Sequence, residues 1–306
     1  MLYKIKKGKI VTKCVEYSLS YHCNLRCASC SHMSPYATGK FPSLESFSKD
    51  VARLSKVLYA HNFHLLGGEP LLNPDIDSFI RIAKDSGIAG RITVITNGLL
   101  LNKMDDDFWR NVDYVRVYIY PAVRDEVKKS IGLIEARARA ANTELRLWET
   151  SAFRATVTTK PQPRDWITGM TFKTCKNVHL YHCNMLHEGK LYKCAVPPFL
   201  PEYLSRMGIS SYDPADDAFD LHGSHDTLGG LKEFLLSSET MEACRYCLGH
   251  LGKLQRHHQL DAALIANPGL QNITRETHLD YPKLIKESLG YYGRRLQEKI
   301  AKKRRW

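Results

Sequence analysis

Apolar and polar residues alternate over positions 14–20, CVEYSLS, which predicts a strand. After a Gly- and Pro-containing connection, SHMSPYATGKFP, the period changes. LESFSKDVARLSKVL carries apolar residues at helical spacing, with Ser43 where an N-cap belongs. HNFHLLGG reads as the next strand. Asn73-Pro74 opens a helix, DIDSFIRIAKDSG, in which proline suits the first turn. GRITVITNG is a β-branched strand, KMDDDFWRNV a short helix and DYVRVYIYP a strand. VRDEVKKSIGLIEARARAAN is a long helix, and TELRLWET another strand. Strands alternating with helices predict a parallel α/β sheet. The repeat number predicts an open, partial (β/α) barrel of five or six parallel strands. Such barrels carry their chemistry at the C-terminal ends of the strands, where Cys23, Glu69, Asn97, Tyr120 and Glu149 fall.

From residue 151 the rhythm breaks. SAFRATVTTKPQPRDWITGM, rich in Thr and Pro, predicts a connection from which at most one short further barrel strand is borrowed. The expected division is a barrel over 1–155, a cysteine-bearing region over 156–250, and a helical, basic extension over 251–306. That extension shows no chemistry above background.

Composition narrows the class. The chain has 306 residues, and 43% are hydrophobic, enough for a sizeable core. No apolar run reaches bilayer length, and the start, MLYKIKKGKIVTK, lacks an apolar secretory core. With nine cysteines, this predicts a cytoplasmic, reduced protein that uses cysteines as metal ligands rather than in disulfides. The formal charge of +12 favours an anionic substrate or an acidic partner. The densest basic run, GRRLQEKIAKKRRW, reads as a solvated helix end. No RNA-binding motif accompanies it, so nucleic acid is not an expected partner, and neither is a membrane.

The chemistry concentrates in YHCNLRCASCS, where Cys23, Cys27 and Cys30 follow the spacing C-x3-C-x2-C. Three thiolates so close converge on one centre, and soft sulfur ligands select zinc or an iron–sulfur cluster. A structural zinc site takes four ligands, whereas a 4Fe-4S cluster on three cysteines keeps one iron open. One strand–helix–strand unit later stands Gly67-Gly68-Glu69-Pro70. A glycine pair at a strand end admits close backbone approach, and Glu69 adds a carboxylate suited to an ammonium group.

The cysteine spacing and the GGEP segment together resemble the radical S-adenosylmethionine (SAM) superfamily. The resemblance implies a 4Fe-4S cluster on Cys23, Cys27 and Cys30. It implies SAM held by Gly67, Gly68, Glu69 and Pro70. Asn97 is either a further SAM contact or a turn residue. Two departures stand out. Ser29 precedes the third cysteine where relatives often carry an aromatic or apolar residue, and Tyr118-Ile-Tyr-Pro occupies the place of a ribose-binding polar residue.

The remaining cysteines form a second set. Gly189-Lys-Leu-Tyr-Lys-Cys194 sits in a predicted hairpin turned at HEG, and ACRYC supplies Cys244 and Cys247. With Cys175, these resemble the ligands of the auxiliary cluster in the SPASM/twitch subgroup. A zinc ribbon is the competing reading. The implied complement is then two 4Fe-4S clusters and SAM. Cys183 is left over, as an alternative auxiliary ligand, a hydrogen-atom donor or a packed thiol. Cys14 reads as core packing. One of His22, His32, His179, His182 and His187 is a candidate substrate contact.

The resemblance implies SAM cleavage and hydrogen abstraction from a C–H bond. The compact length favours a small polar, sugar-containing substrate. Epimerisation with Cys183 as donor is the expected reaction, because of the spare cysteine; with the auxiliary cluster as electron acceptor the enzyme is instead a dehydrogenase. A peptide-modifying enzyme and a non-catalytic iron–sulfur electron carrier are further readings. A flavodoxin or ferredoxin is the expected electron donor.

Overall fold

The computed structural model describes residues 3–223 and 226–303. The strands are β1 (Lys4–Lys6), β2 (Lys9–Ser20), β3 (Leu58–Gly67), β4 (Ile92–Thr96), β5 (Tyr114–Ile119) and β6 (Glu144–Glu149). There follow β7 (Ala152–Arg154), β8 (Cys183–His187), β9 (Lys190–Tyr192), β10 (Ala218–Asp220) and β11 (Leu254–Arg256). The helices are α1 (Leu44–Val57), α2 (Ile76–Asp85), α3 (Asp106–Asn111), α4 (Arg124–Ala141) and α5 (Trp166–Lys173). Helices α6 (Val196–Ser205), α7 (Thr227–Leu236), α8 (Ala262–Ala266), α9 (Arg275–His278) and α10 (Tyr281–Lys303) complete the chain.

The fold is mixed α/β around a mostly parallel sheet, in the order β10-β9-β8-β2-β3-β4-β5-β6. Strand β2 is central. From Cys14 to Ser20 every residue is buried, as expected of a parallel strand covered on both faces. It runs parallel to β3 on one side and to β8 on the other. Strands β3 to β6 continue in parallel. Helix α1 starts where expected, with Ser43 Oγ accepting from Ser46 N at 3.4 Å. Phe47, Val51 and Leu54 of α1 pack with Phe63 of β3 and Phe79 of α2 in the main core.

Two expectations are corrected. The sixth parallel strand does not come from the connection after residue 151, where β7 instead pairs antiparallel with β11 in a separate two-stranded sheet. It is β8, beside β2 on the side away from β3. The expected boundary at 155/156 therefore cuts a continuous sheet, because the hairpin β8–β9 belongs to it. A second core gathers Phe172, Val196, Leu200, Tyr203, Tyr246 and Leu260 around the later cysteines. Arg304, Arg305 and Trp306, the end of the basic run, lie outside the described residues. Among the described residues no helix is long and apolar enough to cross a membrane.

Candidate active site and cysteine centres

The loop carrying Cys23, Cys27 and Cys30 leaves the end of β2 and is pinned by the glycine pair. Gly68 N donates to Ser20 O at 2.7 Å, and Glu69 N to His22 O at 3.1 Å. A Cβ on Gly68 would stand 1.9 Å from His22 O, and one on Gly67 2.4 Å from Ser20 O. Gly67 also has φ +139°. The pair thus lets the cysteine loop lie flat on the end of β3, a closer approach than a side chain permits.

Glu69 lies behind the loop. It is 1% exposed, and its carboxylate accepts from Thr96 Oγ1 at 2.6 Å, Asn97 N at 2.9 Å and Leu71 N at 3.2 Å. The sequence suggested a carboxylate facing a ligand's ammonium group. Here it organises the ends of β3 and β4, while Gly67, Gly68, Thr96 and Asn97 face the space above. Pro70 opens the single 3-10 turn that follows. Asn97 Nδ2 donates to Asn24 Oδ1 at 2.7 Å, and its Oδ1 accepts from Leu99 N at 3.1 Å. The left-handed position in that turn belongs to Gly98, φ +86°. Asn97 therefore ties β4 to the cysteine loop.

The far side of the loop is held by residues that the sequence reading passed over. Ala28 N donates to His258 O at 3.0 Å, Leu260 N to Arg26 O at 2.7 Å, and Arg26 N to Gln259 Oε1 at 2.5 Å. Ser29, at φ +59°, donates from Oγ to Gln255 Oε1 at 3.1 Å. His257 Nε2 lies 3.1 Å from Cys27 Sγ, and its ring stacks on Tyr120 at 5.1 Å and 10°. The only signal in the sequence was the polar run QRHHQ at 255–259, which has no recognisable period.

Above the loop opens a cavity of about 400 Å³, within the range of small-molecule sites. Cys23, Cys27 and Cys30 line one side, Gly67, Gly68, Thr96 and Asn97 another, and Glu16, His32, Tyr118, Tyr120, Phe153 and Arg154 the rest. His32 Nε2 is buried and has no partner among the described residues. His22, His179, His182 and His187 do not line this cavity.

Cys175, Cys194, Cys244 and Cys247 converge on a second, small cavity with Phe172, Val178, Met241 and Gly249. Cys247 Sγ accepts from Gly249 N at 3.2 Å. Burial, and then the neighbouring thiols, push Cys194 and Cys244 far up, and burial pushes Cys247 up to about 12. Lys193 Nζ lies buried nearby, over the Phe172 and Phe234 rings. Four soft donors line one space, and no three of their sulfurs lie within 4.8 Å of one another, so the space is wider than a single ion needs. Cys183 lines neither cavity. It pairs in register with Cys14 at the opposite end of the strands from the cysteine loop. Cys14 is more than packing, since its Sγ lies 3.0 Å from His64 Nδ1.

Residues 17–143 match the family model of the radical SAM superfamily. Among curated relatives, GTP 3',8-cyclase of Chlorobaculum tepidum is 34% identical over 93 residues, 30% of this chain and 28% of that one. A probable GTP 3',8-cyclase of Archaeoglobus fulgidus is 30% identical over 106 residues, 35% of this chain and 34% of that one. The chain thus spans about a third or less of the relatives' length. Among solved structures, BtrN in complex with AdoMet and 2-DOIA aligns at 13% identity and TM-score 0.46, covering 78% of this chain and 94% of that one. A histidine-tagged anSMEcpe with bound AdoMet aligns at 12% identity and TM-score 0.45, covering 94% of this chain and 98% of that one.

The chemistry of Cys23 and Cys27 suits a metal cluster. Burial, then Glu69, pushes the Cys23 thiol up, and burial pushes Cys27 up to about 12. Such thiols become thiolates only against a metal, whose binding releases their protons. With a thiolate at Cys27, His257 Nε2 carries the proton and donates to it. Hydrogen bonds to cluster sulfurs raise the reduction potential. His257→Leu is therefore expected to lower the potential of this cluster by on the order of 50 mV. EPR-monitored potentiometry checks the shift; an unchanged potential refutes the hydrogen bond.

Burial also holds the Glu69 carboxyl up to about 7, although its three hydrogen bonds oppose this. A raised folded pKa stabilises the fold at low pH. That stability is complete below about pH 4 and is lost as the pH rises through about 7. Urea unfolding of the iron-free chain should lose roughly 3 kcal/mol between pH 5 and pH 8 relative to Glu69→Gln. Parallel curves for the two proteins would remove Glu69 as the cause.

Proposed function

We propose that the chain is a radical SAM dehydrogenase that oxidises an alcohol of a small polar, sugar-containing substrate. The observation that carries this reading is the pair of thiol centres, three cysteines at the main cavity and four at a second. Cys23, Cys27 and Cys30 would hold a 4Fe-4S cluster, which would supply the electron for cleaving SAM to a hydrogen-abstracting radical. Cys175, Cys194, Cys244 and Cys247 would hold a second cluster, which would offer an acceptor for the electron that the substrate gives up.

The protein's own residues do the rest. Gly67, Gly68, Thr96 and Asn97 offer backbone and side-chain partners for SAM beside Cys23. Tyr120, stacked on His257, and Phe153 form an apolar wall that excludes water. His32 and Arg154 are the polar groups left to orient hydroxyls, and His32, which burial keeps neutral, is the one able to take the proton an alcohol loses on oxidation. Epimerisation relied on Cys183 as donor. Its absence from the cavity lining moves the reading to dehydrogenation, in which no hydrogen returns to carbon. A flavodoxin or ferredoxin is the proposed electron donor.

The curated relatives favour a second reading, cyclisation of a nucleoside triphosphate such as GTP. The basic balance of +12 suits such an anion. The reconstituted chain, reduced anaerobically with SAM, is offered GTP or a panel of amino- and deoxy-sugars. A two-hydrogen mass loss in a sugar, matched by 5'-deoxyadenosine, supports oxidation. A product of unchanged mass from GTP supports cyclisation and rejects the dehydrogenase. A sugar product that gains deuterium from D2O at unchanged oxidation state rejects it in favour of epimerisation.

A further inference from the structure

At the floor of the barrel, under the reaction cavity, three metal-binding side chains from two adjacent strands meet. Cys14 and Glu16 lie two residues apart on β2 and so point to the same face. His64 on β3 is in register with Glu16. Cys14 Sγ is 3.0 Å from His64 Nδ1, and His64 Nδ1 is 3.7 Å from Glu16 Oε1. The three ligand atoms all lie within 4.8 Å of one another. Cys183 is the register partner of Cys14 on the neighbouring β8, which places the two side chains on one face. Cys14 is 4%, Glu16 9% and His64 8% exposed.

We infer that Cys14, Glu16, His64 and Cys183 bind a structural zinc ion. Zinc takes four ligands tetrahedrally, with bonds of about 2.3 Å to sulfur and about 2.0 to 2.2 Å to nitrogen or oxygen. Tetrahedral edges are then roughly 3.3 to 3.8 Å, close to the 3.0 Å and 3.7 Å that already separate His64 Nδ1 from Cys14 Sγ and Glu16 Oε1; Cys183 is the donor that would move in to complete the shell. The charges also suit one another. Two thiolates and a carboxylate buried together repel, and a divalent cation offsets most of that charge, releasing the thiol protons as it binds. The geometry has a defined purpose. Two ligands come from β2, one from β3 and one from β8, so the ion would clamp the hairpin that leads to Cys194 onto the first two barrel strands. Glu16 also lines the reaction cavity, which gives the ion a way in before substrate occupies the site.

The test uses the anaerobically purified, iron-loaded chain, supplied with zinc during growth. Elemental analysis should find about one zinc per chain. Zinc X-ray absorption should show a mixed shell, with about two sulfurs near 2.3 Å and about two nitrogen or oxygen atoms near 2.0 Å. His64→Ala and Cys14→Ser should each lose at least about four-fifths of the zinc while keeping the iron. Zinc absent from the parent chain overturns the proposal. So does an all-sulfur shell, which would place the metal in the iron sites. Retention of zinc in both variants does the same. If a variant fails to fold, the absorption spectrum of the parent still decides.

Discussion

Gly68→Ala is expected to bind roughly four irons per chain, against the roughly eight that the two proposed clusters would give the parent, and to make no detectable 5'-deoxyadenosine. The reason is steric and local. The added methyl would meet His22 O at 1.9 Å and Cys23 N at 2.9 Å, both backbone atoms that no rotamer can move. Relief requires the loop to lift off β3, which breaks the Gly68 N to Ser20 O and Glu69 N to His22 O hydrogen bonds. Three thiolates that no longer point at one centre lose the cluster, because ligand geometry and count set its affinity. SAM cleavage should fall at least about 1,000-fold, since its electron source is gone. Iron analysis and chromatography of the nucleoside measure both effects. The four irons retained at the second set report that the remainder of the chain is folded. A Gly68→Ala chain with full iron and normal cleavage would show that the close approach is dispensable.

The second large effect separates the two cysteine centres. In the double variant Cys194→Ala, Cys244→Ala, iron should again fall to roughly four per chain, this time with the first cluster intact. 5'-Deoxyadenosine should still form, while oxidised product per SAM consumed drops by at least about 100-fold. The drop follows from electron balance: hydrogen abstraction leaves an electron on the substrate, and without an acceptor the carbon-centred product cannot become a carbonyl. Both thiols are nine-tenths or more buried in the second core. Replacing them therefore also costs packing, and circular dichroism must show the fold retained. Normal coupling of cleavage to oxidation in the folded variant would assign the second centre a structural role.

The sequence made the barrel legible because each strand and helix announces itself by local period. Ser43 caps α1 as its residue type predicts, and the alternation in 14–20 marks the strand that proves most buried. The cysteine loop was legible for the same reason, since its ligands lie within eight residues of sequence. What failed was long-range. Strand β8 has only five residues, CNMLH, and nothing in them says which strand they join. Its parallel pairing with β2 is set by the core around Leu186 and Leu191. Glu69 was read as an open carboxylate because its three donors come from a turn and from the next strand. Cys14 looked like packing because His64 is fifty positions away. The segment 255–260 carried no expected chemistry, yet it grips the cysteine loop from more than two hundred residues downstream.

That grip bears on the order of events during synthesis. On the ribosome, Cys23, Cys27 and Cys30 emerge more than two hundred residues before Gln255, His257 and Gln259. Domains generally fold as units from the N-terminal side as they are made. The barrel strands that precede them can therefore pair while one side of the loop is still uncovered, with Cys27 open to solvent and its hydrogen-bonding partners not yet made. Iron–sulfur assembly machinery would find its access to this loop during that interval, before translation of the segment around His257 closes the site.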